Sequence, residues 1–283
     1  MSVDEIKDWC NSSEPALSCA HIGSGACVGT IGALRTRLFK PKWSSEVHPA
    51  WAEMWEDLCK CVCLGDFFKL AARKLPFVQR LLISLDCENY SRSGDKSGMN
   101  GKTGWMMVAA VRKVCMMDSS NRPLSVGVET ADFAVMIHGG HEVQLICDML
   151  RQHYVVYMRV LAVAPYGSVS HRKRLFINAF DKSMPGCDEW EWPTGHWDEH
   201  HPHCARDIAD EDKDVPVDAR LPVDFTIFCS AYHHDRKPAF GEMQKLARVK
   251  EGMEHSSNPH LHLGLDGVPN GPTRYGGGVH GVP

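Results

Sequence analysis

The chain has 283 residues, 43% of them hydrophobic and 23% charged, and its 31 basic and 35 acidic side chains give a formal charge of −4. This composition is typical of a globular protein and excludes a collagen-like, wholly disordered or disulfide-stapled miniature chain. No apolar run is long enough to span a bilayer, and acids stand near the N-terminus where a secretion signal carries basic residues. We therefore expect a soluble, unexported protein whose 12 cysteines are reduced thiols.

Short apolar runs alternate with helical patterns between residues 16 and 180. In chain order the predicted elements are strand 16–20, a helical stretch to 38, strand 43–46, helix 49–59, strand 62–64, helix 67–74, strand 81–85, helix 103–117, strand 124–128, helix 140–153 and strands 155–163 and 174–180. This alternation predicts an α/β fold, a doubly wound and mostly parallel sheet with helices on both faces. Beyond residue 181 the pattern stops, which predicts an irregular C-terminal region.

Polar residues follow the first three predicted strands, at the sheet edge where such folds bind ligands. Gly23 and Gly25 follow the first strand and allow a close approach of the backbone to a ligand. Glu46 ends the second strand and Asp66 follows the third, where acids accept hydrogen bonds from a ribose or an adenine amine. Either acid alone is more readily explained as a helix cap, but the pair favours a nucleoside-containing cofactor.

A cysteine follows the fourth and clearest strand. Cys87 stands between Asp86 and Glu88, at the head of a polar, glycine-rich loop that extends to residue 104. We expect this loop to be mobile, and a cysteine at its head is placed as a nucleophile would be. The two neighbouring acids act against this role because they raise the pKa of a thiol. Position alone leaves a nucleophile and a small buried residue equally open.

Six motifs, in the same order, resemble those of the DNA (cytosine-5) methyltransferases. They are the glycine loop, Glu46, Gly65-Asp66, Cys87 followed by Tyr90 and Ser91, Val128-Glu129-Thr130, and segment 166–177 with Arg172 and Arg174. The intervals from Glu46 to Asp66 to Cys87 to Glu129 to Arg172 are 20, 21, 42 and 43 residues, close to the spacing of that family. The match covers residues 17–180.

The resemblance implies methyl transfer from S-adenosylmethionine to carbon 5 of cytosine in DNA. It implies that Cys87 adds to carbon 6, that Glu129 contacts the ring nitrogen, and that Arg172 and Arg174 hold the base and stabilise charge. The implied cofactor-binding residues are Gly23, Gly25, Glu46, Val47, Asp66 and Phe67.

The substrate implied by the resemblance is a cytosine flipped out of the duplex, because a stacked base cannot reach such a site. Since the protein is acidic, phosphate contacts must come from a local basic cluster. The candidates are Arg92, Lys96, Lys102, Arg172, Lys173 and Arg174. RNA stays open as a substrate because a tRNA-methylating branch of the family shares these motifs. Either substrate implies an intracellular protein, nuclear in a eukaryote and otherwise in the cytoplasm or nucleoid.

Several positions depart from the family pattern. Asp86 and Glu88 stand where the family has proline and glutamine. Thr130 replaces an asparagine and Ser170 a glutamine, and the family's last motifs have no counterpart. We therefore predict a methyltransferase-like catalytic domain over residues 1–182 and an incomplete or degenerate target-recognition or linker region over residues 183–283. The departures leave open an inactive module that binds nucleic acid or a partner.

A histidine-rich segment offers a different interpretation, a structural zinc site. Its potential ligands are His196, His200, His201, His203 and Cys204, with Cys59, Cys61 and Cys63 upstream and His233, His234 and Asp235 downstream. Structural zinc usually takes two ligand pairs at defined separations, a spacing that these residues do not follow. A polar surface loop is therefore the favoured interpretation, and no residue is assigned to a metal.

Overall fold

The computed structural model describes residues 2–25, 28–166, 168, 172–195, 262–263 and 269–270. The strands are β1 Leu17–Ile22, β2 Phe39–Ser45, β3 Val62–Cys63, β4 Arg80–Ile83, β5 Ser125–Ala131, β6 Tyr154–Ala162, β7 Lys173–Asp181, β8 His262–Leu263 and β9 Pro269–Asn270. The α-helices are α1 Val3–Asn11, α2 Val28–Arg35, α3 Pro49–Cys59, α4 Trp105–Cys115 and α5 His141–Arg151. Short 3₁₀ helices connect several of these elements.

Seven strands form one sheet in the order β3-β2-β1-β4-β5-β7-β6, and β8 pairs with β9 separately. The pairs β1–β2, β2–β3, β1–β4 and β4–β5 are parallel, whereas β7 runs antiparallel to β5. The predicted doubly wound, mostly parallel fold is therefore confirmed. The strand order changes direction between β1 and β4, so the loops that follow these two strands flank the crevice where open α/β sheets bind ligands.

Helices cover both faces of this sheet because the strands are apolar on both sides. On one face Ile22, Ile83 and Val128 lie in register on adjacent strands and pack in one buried cluster with residues of α4 and α5. The other face packs against the first three helices, where Trp55 of α3 contacts the His21 ring at 6.4 Å between centroids. The resulting core fixes the strand ends from which the polar loops emerge.

The element boundaries follow local sequence signals in some places and tertiary contacts in others. Helix α3 has its predicted bounds, with Pro49 in its first turn and Lys60 ending it in a left-handed conformation at φ 52°. Helix α1 was not predicted, although Ser2 and Glu5 form a capping box at its start. The predicted helix 67–74 is wrong as a single helix, because Leu70 is extended and separates two 3₁₀ turns.

The chain divides into two compact units. The first comprises residues 1–161 and 173–192, and the second comprises residues 162–172 and 193–283. Within the described residues, no helix is both long enough and apolar enough to cross a membrane.

Candidate active site

The turn after β1 is built from two glycines with positive φ. Gly23 has φ +69°, and a Cβ there would lie 2.7 Å from the Ser84 carbonyl oxygen at the end of β4. Its N–H donates to the Ser45 carbonyl at 2.8 Å, so the residue is wedged between the ends of two neighbouring strands. Gly25 has φ +47° and faces open space. A side chain at Gly23 would clash with the backbone of β4, and the positive φ of both residues favours glycine, so the turn stays narrow at the centre of the crevice.

Glu46 links this turn to the end of β2. Its Oε2 accepts a hydrogen bond from the Gly25 N–H at 2.8 Å, and its Oε1 accepts from Val47 N–H at 2.8 Å and His48 N–H at 2.9 Å. A carboxylate has about four acceptor positions, so these three bonds leave room for one more donor. The adjacent Val47 side chain is 68% exposed. A contact from Glu46 to a ribose stays a prediction, in which the carboxylate would serve both the turn and the ligand.

Asp66 caps the short helix that follows β3. Its Oδ1 accepts from Phe68 N–H at 2.9 Å, and its Oδ2 lies 3.5 Å from Lys69 Nζ. The Phe67 ring is 2% exposed and lies under Lys113 Nζ at 4.6 Å from its centroid. Any contact of Phe67 with a cofactor must therefore come from its backbone. Asp66 therefore acts as a helix cap, which is one of the two roles that the sequence left open.

Ser24, between the two glycines, is a residue that sequence reasoning missed. It is 4% exposed, and its Oγ is buried without a hydrogen-bond partner among the described residues. A buried hydroxyl is nearly always bonded, so Ser24 is a candidate donor to a polar group of a ligand at this turn. The sequence feature that could have identified Ser24 is its position between Gly23 and Gly25.

Cys87 lies in the loop that follows β4, immediately before the 3₁₀ helix Glu88–Tyr90, and is half-buried. Burial is the main reason that the pKa of the Cys87 thiol is raised, and the charges of Glu129 and Asp86 raise it further. Arg174 acts in the opposite direction and lowers it. Asp86 thus has the predicted effect, whereas the second carboxylate is Glu129 and not Glu88. The free thiol is protonated near neutral pH.

Glu129 and Arg174 form an ion pair, with 2.8 Å between Arg174 Nε and Glu129 Oε1. The antiparallel register places Arg174 opposite Ala131, so it lies diagonally across from Glu129 on the same face. The Arg174 side chain is 16% exposed, and the Glu129 side chain is 35% exposed. Burial raises the pKa of the Glu129 carboxyl, and the Arg174 guanidinium partly offsets this. Three of the predicted catalytic groups thus interact electrostatically.

The other predicted basic residues have separate surroundings. Arg172 belongs to the second compact unit, and its role stays a prediction. Arg92 is 69% exposed, and its Nη2 lies 3.0 Å from Asp132 Oδ2. Lys96 Nζ lies 5.7 Å from the centroid of the Phe133 ring. Both side chains therefore connect the loop after Cys87 to the segment that follows β5.

Asn89, which no motif singled out, organises the loop that was expected to be mobile. It is 4% exposed. Its Nδ2 donates to Asp95 Oδ1 at 2.9 Å and to Ser97 Oγ at 3.1 Å, and its Oδ1 accepts from Thr103 Oγ1 at 2.9 Å. Thr103 Oγ1 also lies 3.2 Å from Asp86 Oδ2. In place of the family's rigid proline, Asp86 therefore contributes a hydrogen-bonded tether between the two ends of the loop.

Replacing Asn89 with alanine is expected to destabilise the folded protein by about 2 kcal/mol, because one buried amide loses its hydrogen bonds to Asp95, Ser97 and Thr103 together. Chemical denaturation would measure the loss, and limited proteolysis should show faster cleavage within residues 86–104. Asn100→Ala is the matched control because Asn100 is exposed in the same loop. Equal stability of the two variants would contradict this role.

The residues weighed as potential zinc ligands, His196, His200, His201, His203 and Cys204 with the downstream His233, His234 and Asp235, lie outside the described residues. Within the described part of the chain, no group of three or more His, Cys, Asp or Glu side chains could hold a metal ion. This part includes Cys59, Cys61 and Cys63.

A family model described as C-5 cytosine-specific DNA methylase matches residues 20–226, well over half of the chain. The chain belongs to this methylase family. The match includes Cys87, Glu129 and Arg174 together with the strands that carry them. The family expected from the motif order is therefore confirmed.

Individual relatives of this methylase chain are distant. The type II methyltransferase M.DsaV of Dactylococcopsis salina is 26% identical over 139 residues, which covers 49% of this chain and 38% of the relative. The chain thus spans less than half the length of that curated protein. A crystal structure of a Spodoptera frugiperda DNMT2 mutant is 13% identical, with 77% of this chain and 66% of that chain covered and a TM-score of 0.53. The S. pombe Dnmt2 methyltransferase is also 13% identical, with 62% and 51% covered and a TM-score of 0.44.

Proposed function

We propose that this methylase chain transfers a methyl group from S-adenosylmethionine to carbon 5 of cytosine in DNA through a covalent adduct of Cys87. The observation that carries the proposal is the clustering of Cys87, Glu129 and Arg174 at the carboxyl ends of β4 and β5. Membership of the cytosine-5 family supports the substrate class. We further propose residues 1–182 as the catalytic domain and residues 183–283 as an incomplete or degenerate target-recognition or linker region. The proposed site of action is intracellular, in the nucleus of a eukaryote and otherwise in the cytoplasm or nucleoid.

Cys87 would carry the covalent step. Its thiol loses a proton, and the thiolate adds to carbon 6 of the flipped cytosine, which makes carbon 5 nucleophilic. S-adenosylmethionine, when bound, supplies the electrophilic methyl group that carbon 5 accepts. Loss of the proton on carbon 5 then expels the cysteine and restores the ring. Because burial raises the pKa of Cys87, ionisation of the thiol forms part of the barrier.

Glu129 and Arg174 would assist this addition from the same edge of the sheet. Burial raises the pKa of Glu129, so its carboxyl is more easily protonated and can donate a hydrogen bond to the cytosine ring nitrogen. Arg174 lies close enough to influence both Glu129 and Cys87. Its charge would stabilise the thiolate and the negative charge that develops on the base. Arg172 is proposed as a second contact to the base.

The turn after β1 fits the methionine end of S-adenosylmethionine. Gly25 leaves open space where a side chain would stand, and the Ser24 hydroxyl is a buried donor without a partner among the described residues. Ser24 is proposed to donate to the ligand carboxylate, beside Gly23 and Gly25. Glu46, Val47, Asp66 and the Phe67 backbone would hold the nucleoside.

Ser24→Ala tests this fit without a catalytic assay. We expect S-adenosylhomocysteine to bind about 10-fold more weakly, the effect of losing one hydrogen bond to a charged group, as measured by isothermal titration. The melting temperature of the free protein should stay the same or rise, because the substitution removes an unpaired buried hydroxyl. The opposite pattern, lost stability with unchanged binding, would assign the hydroxyl to the fold alone.

The proposed activity is tested by transfer of a labelled methyl group to cytosine-containing DNA, with tRNA as the competing acceptor. Transfer to DNA supports the proposal, whereas transfer to tRNA alone would select RNA as the substrate. The departure at Asp86 favours a second candidate, an inactive module that binds nucleic acid or a partner, since Asp86 raises the pKa of the proposed nucleophile. Binding of DNA without transfer to any cytosine acceptor would select that candidate.

A further inference from the structure

The loop that carries Cys87 makes a buried contact, at its far end, with the start of α5. Gly98 of this loop is buried and has φ +54°. A Cβ at this position would lie 2.7 Å from Glu142 Oε1 and 2.9 Å from Ile137 Cγ2. The neighbouring Met99 N–H donates to Glu142 Oε1 at 3.3 Å. The far end of the loop therefore rests directly on the Glu142 carboxylate, with no room for a side chain between them.

Glu142 is held in turn by a histidine four residues earlier. Its Oε1 lies 2.6 Å from His138 Nδ1. His138 has a left-handed backbone conformation at φ 47°, which is uncommon for a residue other than glycine. Burial raises the pKa of the Glu142 carboxyl, but hydrogen bonds, the largest effect among them from His138, outweigh burial and bring the pKa below its usual value. The carboxylate is therefore a charged acceptor in a fixed position.

The burial of Glu142 is not explained by its place in the first turn of α5. An acid there interacts favourably with the helix dipole, but it does so equally well when it is exposed. Glu142 is 6% exposed, and its Oε2 has no hydrogen-bond partner among the described residues. Burying a carboxylate is costly unless it is hydrogen-bonded. The contacts of Oε1 with the loop and with His138 are therefore what offsets the burial of this side chain.

Hydrogen bonds connect the same contact to the residue before the proposed nucleophile. The Gly98 carbonyl accepts from the Gly101 N–H at 3.0 Å, and Gly101 packs so closely on Asn89 that a Cβ would collide with its side chain. Asn89 Oδ1 accepts from Thr103 Oγ1, which lies 3.2 Å from Asp86 Oδ2. The two ends of the loop are therefore connected to each other and, through Glu142, to α5.

We propose that Glu142 is a positioning residue for methyl transfer, which anchors the far end of this loop and thereby holds Cys87 in place for attack on the cytosine ring. The inference rests on the proposed function, because that function assigns Cys87 to the covalent step. In this role Glu142 contacts neither the base nor the cofactor and acts through the Met99 amide. Without the anchor, the thiol would occupy its reactive position for a smaller fraction of the time.

Glu142→Ala removes the anchor, whereas Glu142→Gln keeps a carbonyl oxygen that can accept from the Met99 N–H. We expect kcat for methyl transfer to DNA to fall about 10-fold in the alanine variant, the effect of losing one hydrogen bond to a charged group. The KM for S-adenosylmethionine should stay the same, and the glutamine variant should recover most of kcat. Gln144→Ala is the matched control, because Gln144 is exposed on the same helix, and it should behave like the unmodified protein.

Alkylation of Cys87 by iodoacetamide gives a readout that needs no methyl transfer. Cys87 is half-buried, so release of the loop in Glu142→Ala should speed its alkylation at a fixed pH. Gly98→Ala disturbs the same contact from the loop side and should have the same effect. Cys115 reports on the position of α5, because its Sγ donates to the Met149 carbonyl of that helix at 3.4 Å. Its alkylation rate should not change in either variant.

Glu142→Gln also separates release of the loop from the loss of a negative charge, since it removes the charge and keeps the acceptor. Its Cys87 should react at the rate of the unmodified protein.

Three results would overturn the proposal. The first is a Glu142→Ala variant in which kcat and the alkylation of Cys87 are both unchanged. The second is an equal loss of kcat in the alanine and glutamine variants. The third is a parallel rise in the alkylation of Cys115, which would assign the effect to the packing of α5. If the unmodified protein methylates no cytosine acceptor, the proposed function fails, and the alkylation rates still decide whether Glu142 anchors the loop.

Discussion

Cys87→Ala is expected to abolish methyl transfer, with a fall in rate of about 10⁴-fold or more, the scale seen when a covalent nucleophile is removed. The reason is that no thiolate can then add to carbon 6, and carbon 5 keeps its low nucleophilicity. DNA that carries 5-fluorocytosine gives the sharpest measurement, because fluorine at carbon 5 prevents expulsion of the cysteine. The unmodified protein should form a stable adduct with this DNA in the presence of S-adenosylmethionine, and the variant should form none.

Binding must be separated from chemistry in this comparison. S-adenosylhomocysteine should bind Cys87→Ala with unchanged affinity, since the thiol is not among the groups proposed to hold the cofactor. Cys115→Ala is the matched control, because it removes a half-buried thiol at the end of α4, where Sγ donates to the Met149 carbonyl at 3.4 Å. An adduct that persists without the Cys87 sulfur would reject this residue as the nucleophile.

Arg174→Met is expected to lower the rate of methyl transfer by about 10²- to 10³-fold, because a charge aimed at the reacting groups is lost. Arg174 lowers the pKa of both Cys87 and Glu129, so both pKa values should rise in the variant. Iodoacetamide reacts with the thiolate, and the midpoint of Cys87 alkylation against pH should therefore move upwards. At a fixed neutral pH the variant reacts more slowly than the unmodified protein.

Arg174→Lys tests whether Arg174 acts through its positive charge or through its planar contact with Glu129. A lysine keeps the positive charge but not the planar contact with Glu129, so the alkylation midpoint should return towards the original value while the rate of transfer recovers only in part. Glu129→Gln should lower the Cys87 pKa slightly, because the negative charge of Glu129 raises it. An alkylation profile that is identical in all variants would show that Arg174 does not act on the thiol.

Much of the fold could be predicted because the decisive signals are local. The apolar run of β4 predicts a strand buried on both faces, and Pro49 marks the start of α3. The capping box of Ser2 and Glu5 was also a local signal, which the prediction overlooked. In contrast, the break at Leu70 could not be predicted, because this residue becomes extended in order to pack against the core.

The candidate site likewise contains residues that the sequence could predict and residues that it could not. The order of the motifs led to Cys87, Glu129 and Arg174, which the structure brings into electrostatic contact. The sequence did not reveal Ser24 or Asn89, because their significance depends on burial and on partners that no periodic pattern encodes. An orphan hydroxyl or a hydrogen-bonding hub becomes visible only when the chain is folded.

The three amide bonds to Glu46 have a consequence for the energetics of cofactor binding. The bonds from Val47 and His48 fix the Glu46 carboxylate, and the bond from Gly25 ties the end of the turn to it in the free protein. This part of the turn therefore loses its conformational entropy during folding and not during association. For the proposed cofactor this arrangement would be preorganisation, since the ligand would meet a backbone that hydrogen bonds already hold in place. Affinity can then reflect the contacts made, with little offset from the ordering of this segment.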